Sequence, residues 1–290
     1  MSTLLLPLRS RVVSLTPPLL RDIATWFSSD ARHYQVLFQL TFLLFGMFAL
    51  GWEISLLRLN VVILTCLAVQ ALFIQFTSKD WSGLKSALIT SMSLCLMMQA
   101  NSIWTFVLAG TIAIASKFLI RIKGRHIFNP ANFGILVALL ATGDAWVSPG
   151  QWGSSGLLLM LVGCLGLLVL LKVKRLDTAF AFLIVFLGLN YVRNVLYLGW
   201  PTDFFIHQLN TGSLLLFSFF MITDPMATPL SRKARIIWAA MVGVLAWWLS
   251  AKAFIHTAPL WALISLSPLV PVFNWLMPGE KFKWVKEGVK

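Results

Sequence analysis

The chain has 290 residues, of which 59% are hydrophobic and only 11% charged, and its mean hydropathy is +0.84. That leaves too little polar surface to solvate a soluble globule of this length, and the apolar residues fall in runs close to the ~20 residues that carry a helix across a lipid bilayer. A formal net charge of +13 would point to nucleic acid in a soluble protein; here the basic residues sit between apolar runs, so they report topology and no nucleic-acid partner is expected.

Residues 1–34 form a basic arm that includes Arg9, Arg11, Arg21 and Arg32. The arm lacks a compact apolar core followed by a small-residue cleavage site, so no cleaved signal peptide is expected. Apolar runs follow at 36–52, 55–76, 84–100, 102–120, 131–147, 154–171, 177–198, 205–222, 236–251 and 254–276, and residues 277–290 make a basic tail. This pattern predicts an all-α integral membrane protein whose single domain, 35–276, holds about ten transmembrane helices. Lipid-spanning strands would alternate every second residue and close a barrel, whereas these runs are continuously apolar. Gln208, Asn210, Thr211, Gly212 and Ser213 interrupt the eighth run, which reads as broken or re-entrant and therefore as pointing inward. Pro259, Pro268 and Pro271 should kink the tenth.

The basic residues test this division independently. With the N-terminus cytoplasmic, twenty of the 23 Lys and Arg fall on inside segments, and only Arg58, Arg193 and Lys252 lie outside. Such an excess is what retention of positive charge in cytoplasmic loops produces, so both termini are expected inside. Cys66, Cys95 and Cys164 lie within apolar runs without metal-site spacing and read as packing residues. His33, His126, His207 and His256 are widely separated, which argues against haem or zinc. No nucleophile elbow, P-loop or Rossmann glycine run supports hydrolysis, ATP use or direct NAD binding. Acids suited to proton coupling are scarce: Asp144 and Asp203 sit at outer helix ends, Asp177 and Asp224 at inner ones.

Two polar breaks stand out. One reads Gly-Arg-His-Ile-Phe-Asn-Pro-Ala-Asn-Phe-Gly-Ile over 124–135; the other reads Met-Ile-Thr-Asp-Pro-Met-Ala-Thr-Pro over 221–229. Asn129 and Asp224 are good N-cap residues, and Pro130 and Pro225 suit a first helical turn, so capping explains four of these residues. It leaves Arg125, His126, Asn132, Thr223 and Thr228 unexplained, and these with Asn129 and Asp224 are the candidate ligand site. Helix N-termini there would offer free N–H groups and a positive dipole end to a phosphate, a carboxylate or the carbonyl edge of a ring. The breaks precede the fifth and ninth runs, and their likeness points to a duplicated unit with a site at interrupted helices. A third polar group, Asn190, Arg193, Asn194 and Tyr197, has i, i+3, i+4, i+7 spacing and reads either as a site wall or as an interfacial anchor.

These breaks with their flanks, Ser116 to Gly134 and Gly212 to Arg235, resemble the signatures of the NqrB/RnfD family of flavin-carrying membrane electron-transport subunits. The stretches Thr142 to Gly153 and His207-Gln208-Leu209 are similar to its short stand-alone, UnbU-like branch, which is encoded near enediyne biosynthesis genes. The resemblance, covering about 35–275, implies two inverted repeats with a urea-transporter-like shape in a bacterial cytoplasmic (inner) membrane. It implies a bound flavin, riboflavin or FMN, that moves electrons through or across the membrane, and other redox subunits or electron carriers as partners. Family FMN is attached through a phosphoester to a Thr in a Ser/Thr-Gly-Ala-Thr-type motif. Here the corresponding loop reads Gly-Gln-Trp-Gly-Ser-Ser-Gly over 150–156, without a threonine. Ser154 and Ser155 are the remaining attachment candidates, and a non-covalent flavin is the expectation. The competing reading is a small-solute channel or transporter on the same repeat fold without a cofactor.

Overall fold

A computed structural model describes residues 29–49, 51–52, 55–77, 80–147, 156–209, 212–282 and 284. It is mostly helical. The elements in chain order are α1 (Ala31–Ala49), α2 (Leu56–Thr77), α3 (Leu84–Met97), β1 (Met98–Ala100), α4 (Ile103–Leu119), β2 (Arg121–Ile122) and β3 (Arg125–His126). There follow α5 (Pro130–Thr142), β4 (Ala145–Val147), α6 (Gly156–Val173), and α7 (Leu176–Tyr191), which widens into a π turn over Val192–Tyr197. The chain continues with α8 (Thr202–Leu209), α9 (Gly212–Leu216) with a π turn over Phe217–Met221, α10 (Arg232–Ala251), α11 (Ala258–Leu266) and α12 (Val270–Leu276).

Among the described residues four helical stretches are long and apolar enough to cross a bilayer: Leu56–Thr77, Leu176–Tyr197, Arg232–Ala251 and Ala258–Leu276. The protein is an integral membrane protein. Leu64, Leu72 and Phe76 on α2 and Phe180 and Ile184 on α7 are exposed, an apolar outer surface suited to lipid rather than water.

Two runs are shorter as helices than the sequence predicts. The third stops at Met97 and turns into β1; the fifth stops at Thr142, where Gly143 in left-handed conformation (φ 61°) ends the helix, and turns into β4. At 13 residues α5 reaches about 20 Å, against a hydrocarbon thickness of about 30 Å. The reason is polar: β1 and β4 pair antiparallel with Gln99 opposite Trp146, and Asp144 accepts hydrogen bonds from the Asn101 and Ser102 N–H groups, Asn101 Nδ2 and Thr105 Oγ1. This clamp replaces the missing helical bonds. The eighth run is two helices, α8 and α9, with Asn210 and Thr211 outside the described residues.

The shortened helices α3 and α5 are deeply buried. Every residue of α3 from Thr90 to Met97 is buried, whereas α2 and α7 bury only scattered positions. α4 packs on α2 and α5, and α3 on α1 and α2; likewise α10 packs on α7 and α11, and α9 with its π turn on α6 and α7. The neighbour relations of 31–142 thus recur in 156–276 at an offset of one unit. By this order the counterpart of Asn129-Pro130 is the Thr257 to Pro259 start of α11, while Asp224-Pro225 corresponds to the segment between α3 and α4. The alignment of the two polar breaks with each other does not follow the packing. Gly134 sets the closeness of α4 and α5: a Cβ there would lie 2.5 Å from the Ala109 carbonyl oxygen.

The loops fall on two faces. Residues 120–130, 172–175, 222–235 and 277–282 share a basic face; residues 98–102, 142–147, 190–209, 212–213 and 250–257 share the sparsely charged one.

Candidate functional site

On the basic face, the β2–β3 hairpin turns through Lys123 and Gly124, both at positive φ, and carries Arg125 and His126 toward the loop between α9 and α10. Arg125 Nη2 donates to the carbonyls of Pro225 (2.8 Å) and Thr228 (2.6 Å). His126 Nε2 lies 3.0 Å from Asp224 Oδ2 and, since a carboxylate only accepts, donates to it. Asn129 caps α5 by accepting from the Asn132 N–H (3.0 Å), and its Nδ2 donates to the Met221 carbonyl (3.3 Å) and lies 3.5 Å from Asp224 Oδ2. Asn132 Nδ2 donates to the Leu260 carbonyl at the start of α11 (3.1 Å). Thr228 Oγ1 accepts from Arg175 Nε (3.3 Å). Thr223 Oγ1 donates back to the Phe219 carbonyl (2.6 Å) and stays within its own turn.

All seven candidate residues lie at one junction between the two halves of the chain, and all but Thr223 reach across it. The capping expectation holds for Asn129 and fails for Asp224. α10 begins only at Arg232, and its cap is Ser231, whose Oγ accepts from the Ala234 N–H. Asp224 instead closes a tight turn by accepting from the Met226 N–H (2.9 Å). Burial opposes ionisation of its carboxyl, but His126, the hydrogen bonds from His126 and Met226, and Lys117 outweigh burial and hold it below its ordinary value. Burial lowers the pKa of the Arg125 guanidinium, with Asp224 acting in the opposite sense.

The junction is close to saturated. Arg125 Nη1 and Asn132 Oδ1 are its buried atoms without a partner among the described residues. His126, Asn129 and Asp224 border a crevice of about 70 Å³, and Arg125 and His126 also border a cavity of about 240 Å³ with Asn274 and Trp275. Small-molecule sites start at roughly 300 Å³. The crevice is too small for a tricyclic ring, and the larger cavity falls just below that range.

The opposite face holds a cavity of about 320 Å³. Phe186, Leu187, Leu214 and Phe217 give it apolar walls, and Asn190, Ser213, Ser250, His256 and Thr257 give it polar groups. Ser213, Ser250 and His256 make no side-chain hydrogen bond to a described residue, while Thr257 Oγ1 accepts from Trp261 Nε1 and Asn190 Nδ2 donates to the Phe186 carbonyl. Apolar walls with a few convergent polar groups are the usual make-up of a cofactor site.

Residues 142–283 match the NQR2, RnfD, RnfE family model. The matched span is just under half of the chain, and that family is associated with membrane subunits of electron-transport complexes. All the residues lining the 320 Å³ cavity except Met97 lie within it, as do Thr223, Asp224 and Thr228. No curated protein matches the chain.

The two readings of the third polar group divide along it: Tyr197 is 83% exposed, as an interfacial anchor would be, whereas Asn190 and Asn194 are buried. Sequence reasoning missed Lys117, whose buried Nζ donates to Gln70 Oε1 (2.9 Å) and Ser86 Oγ (3.0 Å). A lysine inside an apolar run was the available signal. It also missed His256 beside Pro259, which was weighed only as a metal ligand. Ser154 and Ser155 lie outside the described residues.

Proposed function

We propose that this chain is the membrane subunit of a flavin-dependent electron-transport system, belonging to the NqrB/RnfD family along its whole length and to its UnbU-like branch. The observation that carries the reading is the coincidence of the family match with the walls of the 320 Å³ cavity. Riboflavin or FMN, bound there non-covalently, supplies one- and two-electron redox chemistry. Phe186 and Phe217 provide apolar faces for its ring, and Asn190, Ser213, Ser250, His256 and Thr257 provide hydrogen bonds that orient it and tune its potential.

On the basic face, Arg125, His126, Asn129, Asn132, Asp224 and Thr228 hold the two halves together, Thr223 braces its own turn, and Arg125 and His126 also border the 240 Å³ cavity. We take the recurring helix packing as two inverted repeats and the basic face as cytoplasmic, in a bacterial inner membrane with both termini inside. Other redox subunits or carriers would deliver and accept the electrons.

An absorption and fluorescence spectrum of the detergent-purified protein, before and after acid denaturation, tests this. Released flavin supports the reading, and flavin that stays on the chain moves the attachment to Ser154 or Ser155. A protein that stays colourless after riboflavin and FMN are added turns the reading to the small-solute transporter, which uptake into proteoliposomes then checks.

A further inference from the structure

The basic face carries a second, separate feature. Between the ends of α1, α6 and α10 and the segment after α12 lies a cleft of about 520 Å³, walled by Lys172, Lys174, Arg175, Arg232, Arg235 and Lys281 against one lining acid, Glu280. Retention of basic residues on one side of a membrane explains the sign of these charges but does not require them to surround a concavity. Nor does it require one of them to be buried without a counter-charge.

Arg175 is so placed. It is 5% exposed, its Nε and Nη1 donate to Thr228 Oγ1 and the Lys174 carbonyl, and its Nη2 makes no hydrogen bond to a described residue. Arg235 beside it is neutralised by Asp177, Nη2 to Oδ2 being 2.6 Å, but no carboxylate among the described residues lies within ion-pair distance of Arg175. Burial, then Arg235, bring its pKa down to about 10, so it stays cationic at neutral pH. Lys174, which turns the chain from α6 into α7, holds a left-handed backbone (φ 57°) that a lysine rarely adopts. Aromatic rings brace the cations: Lys172 Nζ lies 4.8 Å from the Tyr34 ring centre, and Arg175 Cζ lies 5.4 Å from that of Phe282. Asp177 and Asp224 act in the opposite sense, but from beyond ion-pair distance, and a buried guanidinium among further cations is costly unless an anion completes it.

We propose that this cleft binds a phosphate group, with Arg175 as its deepest contact and Lys172 and Arg232 at its rim. Guanidinium and ammonium donors converging on one space match the oxygens of a phosphate mono- or diester. That phosphate belongs either to an anionic lipid headgroup, the position being right for the membrane surface, or to a soluble phosphate compound.

Titration of the full-length protein in neutral detergent with pyrophosphate, dihexanoyl phosphatidylglycerol and dihexanoyl phosphatidylcholine, read by thermal shift and calorimetry, decides it. Saturable binding of pyrophosphate without phosphatidylglycerol assigns a soluble phosphate. Binding of phosphatidylglycerol without phosphatidylcholine assigns the lipid headgroup, with or without weak pyrophosphate binding. In either case Arg175→Gln should weaken binding on the order of tenfold or more, as loss of a charge-assisted hydrogen bond does. The double variant Lys172→Gln/Arg232→Gln, on exposed rim positions, should act in the same direction if Arg175→Gln fails to fold. Lys252→Gln, on the opposite face, should bind as the unaltered protein does. Absence of binding by all three probes, or equal binding in every variant, overturns the proposal.

Discussion

The Arg125 to Thr228 junction and the 320 Å³ cavity on the opposite face are built from similar polar residues and put them to different uses. At the junction nearly every donor and acceptor is satisfied by another part of the chain, Arg125 reaching two carbonyls and Asp224 serving His126 and Met226. In the cavity Ser213, Ser250 and His256 face space with no described partner. Saturated polar groups in an apolar surround act as a tie; unsatisfied ones beside a void of ligand size act as a site. Counting polar residues in a break does not separate the two, because both have them.

The sharpest way to break this contrast is Asp224→Ala. It leaves His126, Asn129 and the Met226 N–H without their acceptor in a largely buried place, and it should cost about 3 kcal/mol or more of stability, read as a large fall in the detergent unfolding temperature. A change below about 1 kcal/mol would mean that the junction is not a tie. Next in size, Gly134→Ala drives a Cβ against the Ala109 carbonyl 2.5 Å away and should destabilise the α4–α5 packing by about 1 to 3 kcal/mol. Ala138→Gly on the same helix provides the control in which no atom is added.

On the cavity side the effects should run the other way. His256→Ala removes an exposed polar group without a described partner, so stability should move by no more than about 0.5 kcal/mol, while flavin content falls several-fold. A stability loss matching that of Asp224→Ala would make His256 structural. The smallest effect is expected at the Asp144 clamp. Hydrogen bonds, that from the Ser102 N–H foremost, depress its carboxyl below the ordinary 3.8. A carboxylate with a depressed pKa stabilises the fold above its ordinary value and loses that contribution as pH falls through the depressed one. Amide protection factors, the exchange rates relative to those of the unfolded chain at the same pH, should therefore be unchanged at residues 98–102 and 145–147 from neutrality down to about that ordinary value and fall only in stronger acid; a fall already near pH 6 would contradict the assignment.

Much of this was readable beforehand, and the exceptions share a cause. Continuous apolar runs located the helices, and the Asn129 cap followed from Asn-Pro. The truncation of α3 and α5 did not, because it depends on β1 meeting β4 and on Asp144 reaching back to Asn101 and Ser102, contacts between segments more than forty residues apart. The seven junction residues were named because their types are unusual in an apolar chain, but residue type does not show whether a partner is present. Asn190 was named as a possible site wall, but His256 became legible only when the start of α11 placed it on the same cavity. Lys117 and Arg175 were counted as topological charge, since burial is a property of packing and not of a charge pattern.

The central claim is that the cavity on the sparsely charged face holds a flavin and the junction ties the halves together. Titrating riboflavin and FMN into the purified protein and following quenching of flavin fluorescence tests it most directly when Ser213→Phe, which fills the cavity, is measured beside the unaltered chain. Saturable quenching by the unaltered protein that disappears in Ser213→Phe, with the unfolding temperature preserved, is the expected result. Equal quenching by both proteins, or none by either, would contradict it.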